Sequence, residues 1–211
     1  MPSARSEAIR TASLRCHAGP VPRTTVPVRA PGTLLGVAQP TLHVGELTLR
    51  PWTANDVRAL VQAYIDPAIR RWHARTMTVA EAEDYVSAAN RDWPSEIRAT
   101  WAVTEDDLLV GRTSVKYDLH EGLASVGFWV VPAARGRGVA PRALAAVAGW
   151  GTTDLGLHRF ELEHSTRNEP SCRVAAKAGF HLEGTRRRVA LHDDGWHDMH
   201  VHVVFGGNPT A

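Results

Sequence analysis

The sequence predicts a mixed α/β (α+β) domain built on a mostly antiparallel seven-stranded sheet with helices packed on it. Three strand-like segments joined by short loops lie between residues 100 and 131, which is typical of an antiparallel meander. After them, a helix separates the strand ending at Val131 from a strand at 158–164. Such a helical crossover makes two strands parallel neighbours.

The elements before the meander are one strand and two helices. The strand begins near Leu42 and alternates apolar with polar residues. Thr53 and Asp56 have the spacing of a capping box, and Pro67 stops the helix that they start. A second helix begins at Thr78. Beyond the meander we expect an Ala-rich helix to about residue 154, the strand at 158–164, a helix at 169–178, and strands at 180–191 and 196–205.

The chain divides into a basic extension, residues 1–40, and a domain over residues 41–207. The extension has five arginines against one acidic residue, and its prolines interrupt any helix. Such a tail could touch nucleic acid or a membrane surface. Because it has no aromatic residue to stack on a base, a loose, solvated leader is favoured over nucleic-acid binding.

Several features indicate a cytoplasmic protein. No apolar run is long enough for a membrane-spanning helix, and no apolar block follows the N-terminal arginines as in a secretory signal. Cys16 and Cys172 lie far apart and outside any CxxC pair. Two free thiols in a reducing compartment are therefore expected.

A Gly/Arg loop follows the strand that ends at Val131. Gly136 and Gly138 let the backbone approach a ligand closely, and the helix that begins at once offers free N–H groups and the positive end of its dipole. Arg135 and Arg137 add guanidinium groups that match phosphate oxygens. The pattern is neither GxxxxGK[ST] nor GxGxxG. It predicts a pyrophosphate site, with a flexible Gly/Arg turn as the alternative.

A second polar pair lies where the strand at 158–164 ends. Asn168 either caps the following helix or contacts a ligand in the mouth between the two parallel strands. Ser171, in the first helical turn, either faces the same mouth or adds a second cap.

These motifs resemble the GNAT family of acetyltransferases. The stretch Arg135-x-x-Gly138-x-Ala140 is similar to the Gln/Arg-x-x-Gly-x-Gly/Ala loop that binds the pyrophosphate of coenzyme A in that family. The spaced Asn168 and Ser171, with the Gly-Phe that follows them, resemble the branch of RimJ and RimL, which acetylate protein N-termini. The resemblance covers roughly residues 43–205.

The resemblance implies helices on both faces of the sheet, a splayed parallel strand pair, acetyl-CoA as co-substrate, an amine acceptor and a homodimer. Ser171 would protonate the leaving thiolate, and a backbone N–H near Val130 would stabilise the thioester oxygen. The implied coenzyme-binding residues are Val130, Val131, Arg135, Gly136, Arg137, Gly138, Val139, Ala140, Asn168 and Ser171.

The resemblance does not identify the general base. Ser125, Ala175 and Ala190 occupy positions where relatives carry Glu, Tyr and Glu. An α-amine with a pKa near 8 needs little help. A water chain could otherwise end at one of four side chains, which are His164, Glu183, Asp198 and His200.

The histidine-rich last strand raises the question of a metal. Alternation along a strand puts His200 and His202 on one face and His197 on the other, so these three do not converge. We therefore expect no metal and solvated strand histidines. Trp72 is either part of the acceptor rim or a packed loop anchor.

Three functions remain open at this level. The first is acetylation of a protein α-amine. The second is acetylation of a small amine such as an antibiotic or polyamine, which an acidic acceptor pocket would favour. The third is a non-catalytic acyl-CoA sensor, which the missing Glu and Tyr would fit.

Overall fold

The computed structural model describes residues 26–73 and 76–207. These residues form one eight-stranded sheet in the order β1-β2-β3-β4-β5-β6-β8-β7, in which only β5 and β6 pair in parallel. The strands are β1 (Leu42–Val44), β2 (Leu47–Arg50), β3 (Arg98–Glu105), β4 (Leu108–Asp118), β5 (Leu123–Val130), β6 (Arg159–Ser165), β7 (His181–His192) and β8 (Gly195–Phe205).

The predicted mixed sheet is confirmed, but the count of seven strands is wrong. The segment taken as the first strand is a hairpin, because the chain turns at Gly45 and β1 pairs antiparallel with β2. Gly45 has a φ of 60°, a conformation that favours glycine.

Helices pack on both faces of the sheet, as the resemblance implies. One hydrophobic core holds α4 (Val139–Leu155) and α5 (Glu169–Lys177) against one face, and a second holds the three N-terminal helices against the other. Those three are α1 (Val57–Ala63), α2 (Pro67–His73) and α3 (Val79–Asp92). Helix α2 was not predicted, because Pro67 both ends the preceding turn and is tolerated in a first helical turn.

Close packing of α4 on the sheet depends on a glycine. A Cβ at Gly151 would lie 2.9 Å from the ring of Phe160, which is fully buried on β6. The absent side chain therefore lets α4 approach β6. This contact fixes the helix whose N-terminus follows the Gly/Arg loop.

Residues 26–40 differ from the predicted loose leader, because they lie on the domain as a strap. Leu34 is buried, and the Arg29 side chain donates hydrogen bonds to the carbonyls of Asp154 and Leu155 at the end of α4. The indole Nε1 of Trp93 donates to the Val37 carbonyl at 2.7 Å. The remainder of the predicted extension, residues 1–25, lies outside the described residues.

Within residues 26–73 and 76–207, no helix combines the length and apolar character that a membrane crossing requires.

Candidate active site

A gap opens where the two parallel strands separate. β5 and β6 pair from Leu123 with Arg159 as far as Val126 with Leu162. Beyond that point β5 continues against β4 only, and β6 continues against β8 only. The predicted splayed parallel pair is therefore present, and its two strand ends diverge on either side of an open cleft.

The end of β5 presents peptide groups to this gap. The N–H of Val131 donates to the Val110 carbonyl at 3.0 Å and so faces β4. Because peptide groups alternate sides along a strand, the N–H groups of Val130 and Phe128 face the gap. Of the two valines in the predicted site, Val130 is thus the one that offers its amide.

The Gly/Arg loop is a nest of free amides. Gly136 and Gly138 have φ values of 77° and 74°, and Gly138 is the residue before α4. No N–H from Gly136 to Ala140 donates to a main-chain carbonyl or side chain among the residues that the structure describes. Val139 and Ala140 are buried, which anchors the start of the helix. Such a cluster of bare amides at a helix N-terminus suits an anion.

Both loop arginines are paired with carboxylates, and Arg135 Nε also donates to the Val130 carbonyl at 3.1 Å. Arg135 binds Asp66 at 2.5 Å and Arg137 binds Glu105 at 2.6 Å. Burial raises the pKa of Asp66, but the hydrogen bonds from Arg135 and from the Ile69 N–H, together with the Arg135 charge, outweigh burial and hold the pKa below its ordinary value. Each guanidinium group thus already has a carboxylate partner, and contact of either arginine with a phosphate stays a prediction.

Asn168 caps α5. Its Oδ1 accepts from the Ser171 N–H at 3.3 Å, and its side chain is buried at the end of β6. The hydroxyl of Ser171 makes no hydrogen bond to any described residue, which leaves it available in the first turn. The capping role of Asn168 is therefore observed, whereas contact of either residue with a ligand stays a prediction.

The four candidate bases do not converge at the gap. Glu183 is bound to Arg159, and this hydrogen bond lowers its pKa. Asp198 accepts the Arg188 N–H at 2.8 Å. His164 and His200 lie together on the α5 side of the sheet, with ring centroids 5.5 Å apart.

A buried polar chain on the opposite face was missed by sequence reasoning. The Ser165 hydroxyl lies 2.8 Å from His197 Nδ1, and His197 Nε2 lies 2.6 Å from Asp194. His197 is 1% exposed, so the expectation of a solvated side chain is wrong for this residue. Trp72 packs edge-on against the rings of His197 and His192, as the predicted loop anchor would. Only the β6–β8 register brings these residues together.

A splayed strand pair beside a nest of free amides defines a class of acyl-transferring domains, and comparisons with known proteins agree. The family model of the acetyltransferase (GNAT) domain matches residues 46–181. The Bacillus subtilis protein named Probable N-acetyltransferase YjcK is 35% identical over 101 residues, which is 47% of this chain and 56% of that protein. The chain belongs to the GNAT acetyltransferase family.

Solved structures share the fold. Mycobacterium smegmatis RimJ in complex with CoA-disulfide has a TM-score of 0.71 at 23% identity, covering 82% of this chain and 88% of its own. RimL, a ribosomal L7/L12 α-N-protein acetyltransferase in complex with coenzyme A, has a TM-score of 0.72 at 18% identity, covering 79% of this chain and 98% of its own. The prediction of a GNAT acetyltransferase is confirmed by the family match, and the structures of RimJ and RimL show that the fold is shared.

Proposed function

We propose that this chain transfers the acetyl group of acetyl-CoA to the N-terminal α-amine of a protein. The observation that carries the proposal is the gap between β5 and β6, which opens beside the amides of residues 136–140. A pyrophosphate on these amides would direct the attached pantetheine arm into the gap. The peptide group of Val130 and the side chains of Asn168 and Ser171 border this path.

The proposed chemistry uses groups on both sides of the gap. The neutral amine attacks the thioester carbon, so a C–N bond forms while the C–S bond breaks. The N–H of Val130 stabilises the negative charge that develops on the thioester oxygen. The Ser171 hydroxyl gives its proton to the leaving sulfur and recovers one, through water, from the acylated nitrogen.

The acceptor face favours a peptide over a polycation. On the face of the sheet that carries α2, which we take as the acceptor face, two carboxylates are already paired: Asp194 binds Arg167 at 3.0 Å and Arg71 at 3.3 Å, and Glu163 binds Arg186 at 2.5 Å. A polyamine or aminoglycoside would need unpaired carboxylates to bind. A protein α-amine also has a pKa near 8, so a substantial neutral fraction exists without a dedicated base.

A thiol-release assay on the full chain with acetyl-CoA tests this function. The acceptors are a panel of peptides with free α-amines, the same peptides with blocked N-termini, spermidine and an aminoglycoside. We expect turnover only with free α-amines. Turnover with the small amines alone would establish the small-amine alternative. Calorimetric binding of acetyl-CoA with no turnover on any acceptor would establish the sensor.

Other expectations accompany this proposal. A catalytic domain over residues 41–207, a cytoplasmic location and a homodimer remain proposals. Size-exclusion chromatography with light scattering tests the dimer directly.

A further inference from the structure

Four potential metal ligands converge between α5 and the sheet, and we name them the His/Cys cluster: His164, Cys172, His200 and His202. Their ligand atoms all lie within 4.8 Å of one another. The register that pairs His164 with His200 and Leu162 with His202 places the three histidines side by side. Cys172 reaches them from the first turns of α5.

The hydrogen bonds of the cluster leave one ring nitrogen of His164 with a lone pair that faces His202. His164 Nδ1 lies 2.8 Å from the Ser165 carbonyl, which can only accept, so this nitrogen carries the ring proton. The opposite nitrogen, Nε2, then has a free lone pair, and it lies 3.1 Å from Nε2 of His202. This contact is attractive when His202 donates a ring proton from Nε2 to that lone pair, or when a cation lies between the two nitrogens.

The surroundings raise the cost of leaving the cluster without a cation. His164 is 6% exposed and His202 is 2% exposed. His200 Nδ1 is buried and has no hydrogen-bond partner among the described residues. Buried polar atoms of native proteins almost always find partners, and a bound ion is one common explanation when no protein group serves as the partner.

We propose that the His/Cys cluster is a site for a divalent cation of the zinc class. Three imidazoles and one thiolate are a ligand set that tetrahedral zinc accepts. Nitrogen ligands about 2.0–2.1 Å from zinc are roughly 3.3 Å apart, close to the separation of the two Nε2 atoms.

The proposal departs from the sequence-based expectation of no metal. That expectation considered His197 with His200 and His202, and His197 does lie on the other face. The group that converges takes its other two members, His164 and Cys172, from different elements. Because Cys172 directly follows Ser171, a bound cation would fix the helix turn that carries the proposed proton donor.

Cobalt titration of the metal-stripped full chain tests the site. A Cys16→Ser background leaves Cys172 as the single thiol, so a thiolate-to-cobalt charge-transfer band reports on this residue alone. We expect one equivalent of Co²⁺, visible bands typical of tetrahedral cobalt, and displacement by Zn²⁺. Failure to take up one equivalent of either metal would overturn the proposal.

Two variants and a matched control locate the ligands. Cys172→Ser should abolish the charge-transfer band, and His200→Gln should weaken cobalt binding at least about tenfold, since even outer partners of metal ligands cost 10–100-fold. His181→Gln replaces an exposed histidine on β7 outside the cluster and should bind normally.

Circular dichroism in the presence of a chelator checks that each variant folds. Should Cys172→Ser fail to fold, the cobalt affinity of His200→Gln alone tests the ligand assignment. Unchanged affinity in the folded ligand variants, or an equal loss in the control, would refute the assignment.

Discussion

The Gly/Arg loop and the His/Cys cluster differ in how the amino-acid sequence encodes them. The loop is contiguous, and its free amides follow from two glycines and a helix start within residues 136–140. The cluster draws on three elements and exists only because β6 and β8 pair in one register. Local backbone chemistry is therefore readable from a motif, whereas convergence of side chains depends on the assembled sheet.

Within the Gly/Arg loop, the backbone amides and the arginine side chains also differ in whether they already have partners. Arginine is prominent in the sequence motif of the loop. Carboxylates nevertheless bind both guanidinium groups, while the loop amides remain free. If the backbone amides carry coenzyme binding, a change at a loop glycine should weaken it more than a change at either arginine.

Gly138→Val should weaken acetyl-CoA binding about a hundredfold. Valine is strained at the φ of 74°, by about 1–3 kcal/mol, so the loop would turn its amides away from the ligand. Isothermal titration calorimetry measures the loss. Gly149→Ala is the matched control, because an added Cβ meets nothing within 4 Å in the middle of α4. Near-normal binding by the valine variant would show that the amides do not hold the coenzyme.

Ser171→Ala should lower kcat by about tenfold to a hundredfold with little change in KM for acetyl-CoA. General-acid catalysis contributes about 10²–10⁴-fold, and a thiol with a pKa near 8.5 leaves readily, which reduces the need for it. Steady-state kinetics with a free α-amine peptide measures the effect. Ser125→Ala, an exposed serine on β5, should leave kcat unchanged. Equal kcat values for the serine and alanine enzymes at position 171 would remove Ser171 from the mechanism.

Arg135→Ala should weaken acetyl-CoA binding only about threefold to fivefold, and Arg137→Ala should behave alike. Each guanidinium is neutralised by a carboxylate and partly exposed, so its net attraction for a phosphate is small. The same calorimetry compares these variants with Gly138→Val. A loss as large as that of the glycine variant would return the main role to the arginines.

Asp66→Asn should change stability by less than about 1 kcal/mol, because Arg135 is 42% exposed. The pKa of Asp66 in the folded protein lies below its ordinary value, so the ion pair stabilises the fold above the ordinary pKa and this stabilisation is lost as pH falls through the lowered pKa. Thermal melts from pH 7 down to pH 3 measure this. The wild-type advantage should be present at pH 7 and shrink toward pH 3, and an advantage that grows on acidification would reverse the sign.

The sequence predicted most of the fold because its signals are local. Helix α3 follows Thr78 as predicted, with a capping box between Thr78 and Glu81, and the meander β3-β4-β5 has the predicted short loops. The hairpin at Gly45 and helix α2 were not predicted. Each depends on one short turn, and the residues beside it also fit a single strand in the first case and a loop in the second. The chain from Ser165 through His197 to Asp194 lacks any local signal, since it spans two strands and a turn.

The strap over residues 26–40 has a practical consequence for anyone shortening the chain. A protein that begins at residue 41 would uncover the hollow that Leu34 fills and free the last carbonyls of α4, which Arg29 now binds. Such a trimmed protein should have a lower melting temperature and should aggregate, although every residue proposed for catalysis would still be present.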